Sequence, residues 1–128
     1  MRRIALFATG LVALTGVLAN AGPAFAQHAS IAYDKTNCGW GRSWNYDTQV
    51  GANNRAMSEC NSQNSHCQVV AEIGPEQCGA LAATDDCGGY GWATRPSLNA
   101  AKAVAMQQCY QYNPGSNCTL QASVCSEQ

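Results

Sequence analysis

Two stretches of the chain carry the same cysteine pattern and decide the fold. They are CGWGRSWNYDTQVGANNRAMSECNSQNSHC at residues 38–67 and CGGYGWATRPSLNAAKAVAMQQCYQYNPGSNC at residues 87–118. The first has cysteines separated by 22 and 7 positions, and the second by 22 and 9. A recurring spacing of this kind is typical of an internal duplication. We therefore predict two copies, at about 29–76 and 77–127, which form one domain.

The match between the copies extends beyond cysteine, with offsets of 49 to 51 residues. The paired segments are Ile31-Ala32 with Leu81-Ala82, Trp40-Gly41 with Tyr90-Gly91, Thr48 with Ser97, and Ala56-Met57 with Ala105-Met106. Each copy reads as two strands around a turn, a helix capped by Thr48 or Ser97, and a third strand. The predicted fold is α+β: two β-β-α-β repeats, with helices on one face of a mixed sheet.

Within each copy, alternation and spacing predict the bounds of the elements. In the first copy the three strands are expected at 31–36, 39–46 and 67–73. In the second copy the last strand is expected at 118–124. Polar linkers are expected at 61–66 and 110–117. The apolar positions predicted for the two helices are Val50, Met57 and Cys60 in the first, and Leu98, Ala101, Ala105, Met106 and Cys109 in the second.

The amino terminus has the three parts of a secretory signal peptide. Met1-Arg2-Arg3 is basic, residues 4–18 are uncharged and mostly apolar, and Ala24-Phe25-Ala26 is a small-x-small cleavage site. We expect residues 1–26 to be removed, which leaves residues 27–128 with five basic and eight acidic side chains. The mature protein is then expected in the periplasm or outside the cell, with no membrane association after cleavage.

Export and an even number of cysteines predict four disulfide bonds. A metal site is disfavoured because no two cysteines have the close spacing of zinc ligands, so we expect no metal and no cofactor. If the second strand runs down and the helix returns up, the hairpin tip, the helix end and the start of the third strand share one edge. Chain tracing then predicts the pairs Cys38–Cys87, Cys60–Cys67, Cys78–Cys125 and Cys109–Cys118.

Groups that could carry out catalysis are few. No sequence motif pairs either histidine, His28 or His66, with a catalytic nucleophile. The carboxylates near strand ends are Asp34, Asp47, Asp85 and Asp86. Such aspartates usually make turns and caps, and Asp85-Asp86 lacks the spacing of a calcium loop. We assign no catalytic residue, and the residue inventory favours a role other than catalysis.

Aromatic side chains alternate with small residues along the second strand. Trp40, Arg42, Trp44 and Tyr46 share one face, and Tyr90 and Trp92 occupy the equivalent face in the second copy. These rings could form the core beneath the helices. They could instead form an exposed platform for sugar, peptide or a partner protein, made of Trp40, Arg42, Trp44, Tyr90 and Trp92. The lack of a basic surplus argues against nucleic acid as the partner.

The layout resembles the bacterial secreted family called domain of unknown function 4189. The matching segments are Ile31-Ala32-Tyr33 leading to Trp40-Gly41, Cys67-Gln68-Val69-Val70, Cys78-Gly79-Ala80-Leu81-Ala82, Gly91-Trp92, the helices ending at Cys60 and Cys109, and Cys118 through Val124-Cys125. The resemblance implies an exported bacterial protein with two related halves and supplies no catalytic residues. The chain departs from that pattern in having cysteines at both hairpin tips, Cys38 and Cys87.

Three functions are compatible with these observations. The favoured one is an exported binding or interaction module for a protein or a cell-envelope glycan. The second is a hydrolase of envelope polymers that uses strand-end carboxylates. The third is a periplasmic inhibitor or immunity-type protein that presents the loop at 61–66 or 110–117. A glycan binder predicts that Trp40, Trp44 and Trp92 are at least partly open to solvent.

Overall fold

The computed structural model describes residues 26–128. The predicted signal peptide falls on residues 1–26, which lie outside the described residues apart from Ala26. The first copy consists of β1 (His28–Asp34), β2 (Gly39–Tyr46), α1 (Gln49–Asn61) and β3 (Gln68–Ile73). The second consists of β4 (Cys78–Thr84), β5 (Tyr90–Arg95), α2 (Leu98–Tyr112) and β6 (Cys118–Cys125). The predicted α+β fold and its β-β-α-β order in both copies are confirmed.

The strands form two sheets, one from each copy. Their strand orders are β2-β1-β3 and β5-β4-β6, and every neighbouring pair is antiparallel. The sequence predicted one mixed sheet; instead, each β-β-α-β copy forms its own antiparallel sheet. The helix carries the chain over its first strand, so β3 and β6 join the side of β1 and β4 opposite to the second strand.

The two sheets pack face to face, and one helix covers the outer face of each. A core between the sheets combines Ile31 and Ile73 with Leu81 and Val124, all fully buried. On their other face, β1 packs against α1 and β4 packs against α2, and these contacts are made by alanines and disulfide-bonded cysteines. The result is a helix, sheet, sheet, helix stack in which the central strands are buried on both faces.

Both helices begin where the sequence predicts. Thr48 Oγ1 accepts a hydrogen bond from the Gly51 amide at 3.0 Å, and Ser97 Oγ accepts one from the Ala100 amide at 3.2 Å. These N-cap bonds satisfy an otherwise unpaired amide at each helix start. The prediction that Val50 belongs to the buried face is wrong, because Val50 is 69% exposed.

Alanine forms the buried face of each helix instead of larger apolar side chains. Ala52 and Ala56 in α1, and Ala101 and Ala105 in α2, are fully buried together with Cys60 and Cys109. The reason is the close approach of the helix to the second strand. A Cβ at Gly41 would overlap the Ala56 carbonyl and the Cys60 amide, and Gly91 has the same relation to Ala105 and Cys109. The predicted linker at 110–117 is also shorter, because α2 continues to Tyr112.

Four disulfide bonds link the structure: Cys38–Cys87, Cys60–Cys67, Cys78–Cys125 and Cys109–Cys118. These are the four pairs that the sequence predicts. Two of them tie a helix end to the following strand, one joins β4 to β6, and Cys38–Cys87 joins the two hairpin tips. Four disulfide bonds in a domain of this size are typical of proteins from an oxidising compartment.

The two copies share a hydrogen bond whose partners have exchanged positions. In the first hairpin Thr36 Oγ1 donates to Asp34 Oδ1 at 2.5 Å, and in the second Thr84 Oγ1 donates to Asp86 Oδ1 at 2.6 Å. The acid therefore stands two residues before the hydroxyl in one copy and two residues after it in the other. A threonine and an aspartate two residues apart are thus bonded in both hairpins, which supports the duplication.

Candidate functional site

The side chains of β2 are divided between its two faces. Gly41 and Ser43 lie beneath α1, where Ser43 Oγ donates to the Ala52 carbonyl at 2.7 Å. Trp40, Arg42 and Trp44 therefore point away from the helix. The interpretation that these rings form the core beneath α1 is wrong, since only small residues fit there.

The exposed side of β2 lines a cavity of about 390 Å³. Its lining side chains come from β2 and from the adjoining face of α1: Trp40, Arg42, Ser43, Trp44, Tyr46, Arg55 and Glu59. The volume falls within the range of pockets that hold small ligands. Trp40 is 38% and Trp44 40% exposed, so both rings are partly open to solvent.

Arg42 organises this cavity. Its guanidinium carbon lies 5.7 Å from the ring centroid of Trp40 and 5.7 Å from that of Trp44, which is within cation–π range. Its Nη1 donates to the Ser123 carbonyl of β6 at 2.6 Å. The arginine thus reaches from β2 to β6 and contacts both tryptophan rings. We name the set of Trp40, Arg42 and Trp44 the β2 platform.

The carboxyl-terminal residues of the chain are hydrogen-bonded to the C-terminal end of β2. The Asn45 amide donates to the Ser126 carbonyl at 2.9 Å, and the Asn45 side chain exchanges two hydrogen bonds with Gln128. Asn45 has a positive φ of 60°, a conformation that asparagine tolerates better than most residues. The strand that carries the β2 platform is therefore anchored to both sheets.

The structure does not bring all five predicted platform residues together. Tyr90 lies against Tyr33, with ring centroids 5.6 Å apart, and lines a separate cavity of about 200 Å³. Trp92 is 41% exposed on β5 and lines neither cavity. Because β2 lies beside β6 and β5 lies beside β3, the two aromatic strands are at opposite edges of the sandwich.

The second cavity is bounded by a buried tyrosine. Burial, followed by the nearby charges of Asp34 and Asp86, raises the pKa of Tyr33 to about 12. Tyr33 is 2% exposed, and its hydroxyl donates to the Cys87 carbonyl at 2.7 Å. The hydroxyl stays protonated at physiological pH and ties β1 to the second hairpin. Lys35 and His66 lie on the rim of this cavity.

The strand-end carboxylates are engaged in turns. Asp34 is fully buried and accepts hydrogen bonds from the Thr36 amide at 2.9 Å and the His66 amide at 3.0 Å, besides the Thr36 hydroxyl. Asp86 accepts from Thr84 and from the Gly88 amide, and Asp85 accepts from Asn117. Glu59 is the carboxylate that lines the larger cavity, and it pairs with Arg55.

The loops proposed as inhibitor segments are held against the hairpins. Asn64 Nδ2 donates to the Cys60 carbonyl at 2.7 Å, and Asn113 Nδ2 donates to the Cys109 carbonyl at 2.9 Å. The same side chains fill the space where a Cβ at Gly39 or Gly89 would lie. These asparagines were not assigned a role from the sequence; their signal is the matched pairing of glycine and asparagine in both copies.

Asparagine at position 34 is expected to destabilise the protein in a pH-dependent way. The Thr36 side chain, the Thr36 and His66 amides and the charge of His66 hold the pKa of Asp34 below its ordinary value of 3.8. A carboxylate with a lowered pKa stabilises the fold above that value, and the effect is lost as pH falls through the folded-state pKa. Asp34→Asn should therefore lower the urea midpoint at pH 7, and the difference from the wild type should shrink below about pH 4.

Asp47→Asn provides the control, because Asp47 is exposed in the bend before α1. Chemical denaturation of both variants from pH 7 to pH 3 checks this expectation. A deficit of Asp34→Asn that stays constant over this range would contradict it.

Residues 26–128 contain no group of three or more histidine, cysteine, aspartate or glutamate side chains that could hold a metal ion. In the same part of the chain, no helix is long and apolar enough to cross a membrane.

The fold and site together define a duplicated, disulfide-bonded α+β domain with a tryptophan-lined cavity at a sheet edge. The chain belongs to the family described as Domain of unknown function (DUF4189), whose family model matches residues 28–125. The resemblance noted from the sequence is thus confirmed.

Three mycobacterial proteins are similar to the chain. Protein Mb1300c of Mycobacterium bovis and Proteins MT1307 and Rv1269c of Mycobacterium tuberculosis are each 37% identical to it over 79 residues. The match covers 62% of this chain and 58% of each relative, so it spans less than two thirds of their length. No solved structure matches the chain.

Proposed function

We propose that the protein is an exported binding module of the periplasm or extracellular space that holds a cell-envelope glycan in the cavity of the β2 platform. The observation that carries this proposal is the pair of partly exposed tryptophans, Trp40 and Trp44, which both contact Arg42 on one face of β2. A sugar ring has an apolar face of C–H groups and a rim of hydroxyls. It is therefore complementary to an aromatic face bordered by polar groups.

Hydrogen-bonding groups for the rim of the sugar are present beside the rings. Within its sheet β2 is an edge strand that pairs with β1 alone, so alternate backbone amides and carbonyls point away from the sheet. Tyr46 and the Arg55–Glu59 ion pair add side-chain donors and acceptors at the border of the cavity. The site is also pre-formed, which reduces the entropic cost of binding.

Replacing Trp44 by alanine is expected to weaken binding of envelope saccharides by about tenfold or more, because one of two stacking surfaces is lost. Trp92→Ala is the matched control, since Trp92 is exposed to a similar extent, 41%, and lines neither cavity. A glycan array of envelope fragments followed by calorimetry gives the measurement, with circular dichroism as the check of folding. Absence of binding to every saccharide, or equal loss in both variants, would count against the proposal.

An extended segment of a partner protein is the second candidate ligand. The unpaired edge of β2 could accept a further strand, a mode in which backbone hydrogen bonds supply affinity. Such a partner would protect the outward amides of residues 40–44 from hydrogen exchange across the whole strand. A saccharide would protect few of them, so amide exchange in the presence of envelope extract separates the two.

A further inference from the structure

Arg42 is a cation without a carboxylate partner among the described residues. The one ion pair within residues 26–128 is Arg55 with Glu59, and it lies in the same cavity. Arg55 is thereby neutralised, while the described contacts of Arg42 are two aromatic rings and a carbonyl oxygen. The β2 platform therefore carries one uncompensated positive charge.

This charge is opposite in sign to that of the surrounding domain. Residues 27–128 contain five basic and eight acidic side chains. A net negative domain repels polyanions at long range, and a single arginine cannot offset that repulsion. The charge of Arg42 is thus suited to one anionic group at short range and not to a chain of phosphates.

The guanidinium is also prepared for a specific geometry. A guanidinium has five N–H donors in a planar fork, and the hydrogen bond to Ser123 uses Nη1. The two rings and that bond fix the fork, so little side-chain entropy remains to be lost on binding. A planar carboxylate accepts two parallel hydrogen bonds from such a fork.

We propose, on the basis of the proposed function, that the ligand is an acidic saccharide whose carboxylate pairs with Arg42. One sugar ring stacks on Trp40 or Trp44, and the carboxylate of the same or the adjacent sugar meets the guanidinium between them. The stacking supplies affinity for sugars in general, and Arg42 distinguishes sugar acids from neutral sugars.

The test compares two ligands on the wild-type protein. The probes are a tetrasaccharide of alternating glucuronic acid and N-acetylglucosamine, and the same tetrasaccharide with its carboxyl groups reduced to alcohols. We expect the reduced form to bind at least about tenfold more weakly.

Two outcomes separate this inference from the proposed function. Equal affinity for the acidic and reduced forms overturns the role of Arg42 and leaves a glycan-binding module in place. Binding of neither form, together with no binding of any other saccharide, overturns both.

Variants give a second measurement. Arg42→Gln should remove the preference for the acidic form, while Arg95→Gln should retain it, because Arg95 is exposed on β5 and donates to the neighbouring Thr94 carbonyl. If Arg42→Gln does not fold because the tie to Ser123 is lost, the two-ligand comparison on the wild type still decides the question. A preserved preference in folded Arg42→Gln would contradict the inference.

Discussion

Replacing Gly41 by valine is expected to lower the free energy of unfolding by about 3 kcal/mol, because the new side chain overpacks the contact between β2 and α1. A Cβ at this position would overlap the Ala56 carbonyl and the Cys60 amide, and both are helix backbone. Backbone cannot rotate away as a flexible side chain does. The helix must therefore move away from the sheet, and the alanines on its buried face become accessible to water.

The duplication makes this prediction stronger, since Gly91 has the same contacts with Ala105 and Cys109 in the second copy. Gly91→Val should be destabilised by a similar amount. Gly74→Val is the matched control: no atom lies within 4 Å of a Cβ at Gly74. Urea denaturation of the three variants under non-reducing conditions provides the comparison. Gly41→Val as stable as Gly74→Val would show that α1 does not pack as closely as described.

The features of the fold that were predictable are those set by local sequence. The N-caps Thr48 and Ser97 and the bounds of β2 follow from residue type and alternation over a few positions. The two copies also served as independent readings of one pattern. Agreement between them made the order of elements predictable without knowledge of long-range contacts.

The packing of the layers was not predictable in the same way. Alternation shows that Trp40 and Trp44 share a face of the strand, but it does not show which layer covers that face. The decisive constraint is steric: only Gly41 and Ser43 fit beneath α1. For the same reason the small residue Ala52 is buried while Val50 lies in solvent.

The candidate site was predictable in part. Arg42 and its two tryptophans are neighbours on one strand, so their proximity is a local property. Ser123, which fixes Arg42, comes from the other copy and is 81 residues away in sequence. Tyr90 and Trp92 belong to the opposite edge, because their strand is the counterpart of β2 across the sandwich.

Removing the disulfide bond between the two hairpin tips is expected to destabilise the protein more than removing either of the bonds that close a short loop. Cys38 and Cys87 lie 49 residues apart, and a loop of that length gives an entropic stabilisation of about 4 kcal/mol. Replacing both residues by serine should therefore lower the free energy of unfolding by about 4 kcal/mol. The bonds that close 7 and 9 residues should contribute less, about 2.5 kcal/mol each.

Replacing both tip cysteines by glycine is expected to be less damaging than replacing them by serine. Cys38 and Cys87 have positive φ angles of 64° and 69°, a conformation that costs a residue with a Cβ about 1 kcal/mol and glycine almost nothing. Serine retains this cost after the bond is gone, whereas glycine removes it at both tips. The glycine pair should then lose only about 2 kcal/mol relative to the wild type. Denaturation of the two double variants side by side measures the difference, and equal stabilities would show that the left-handed backbone at the tips carries no cost.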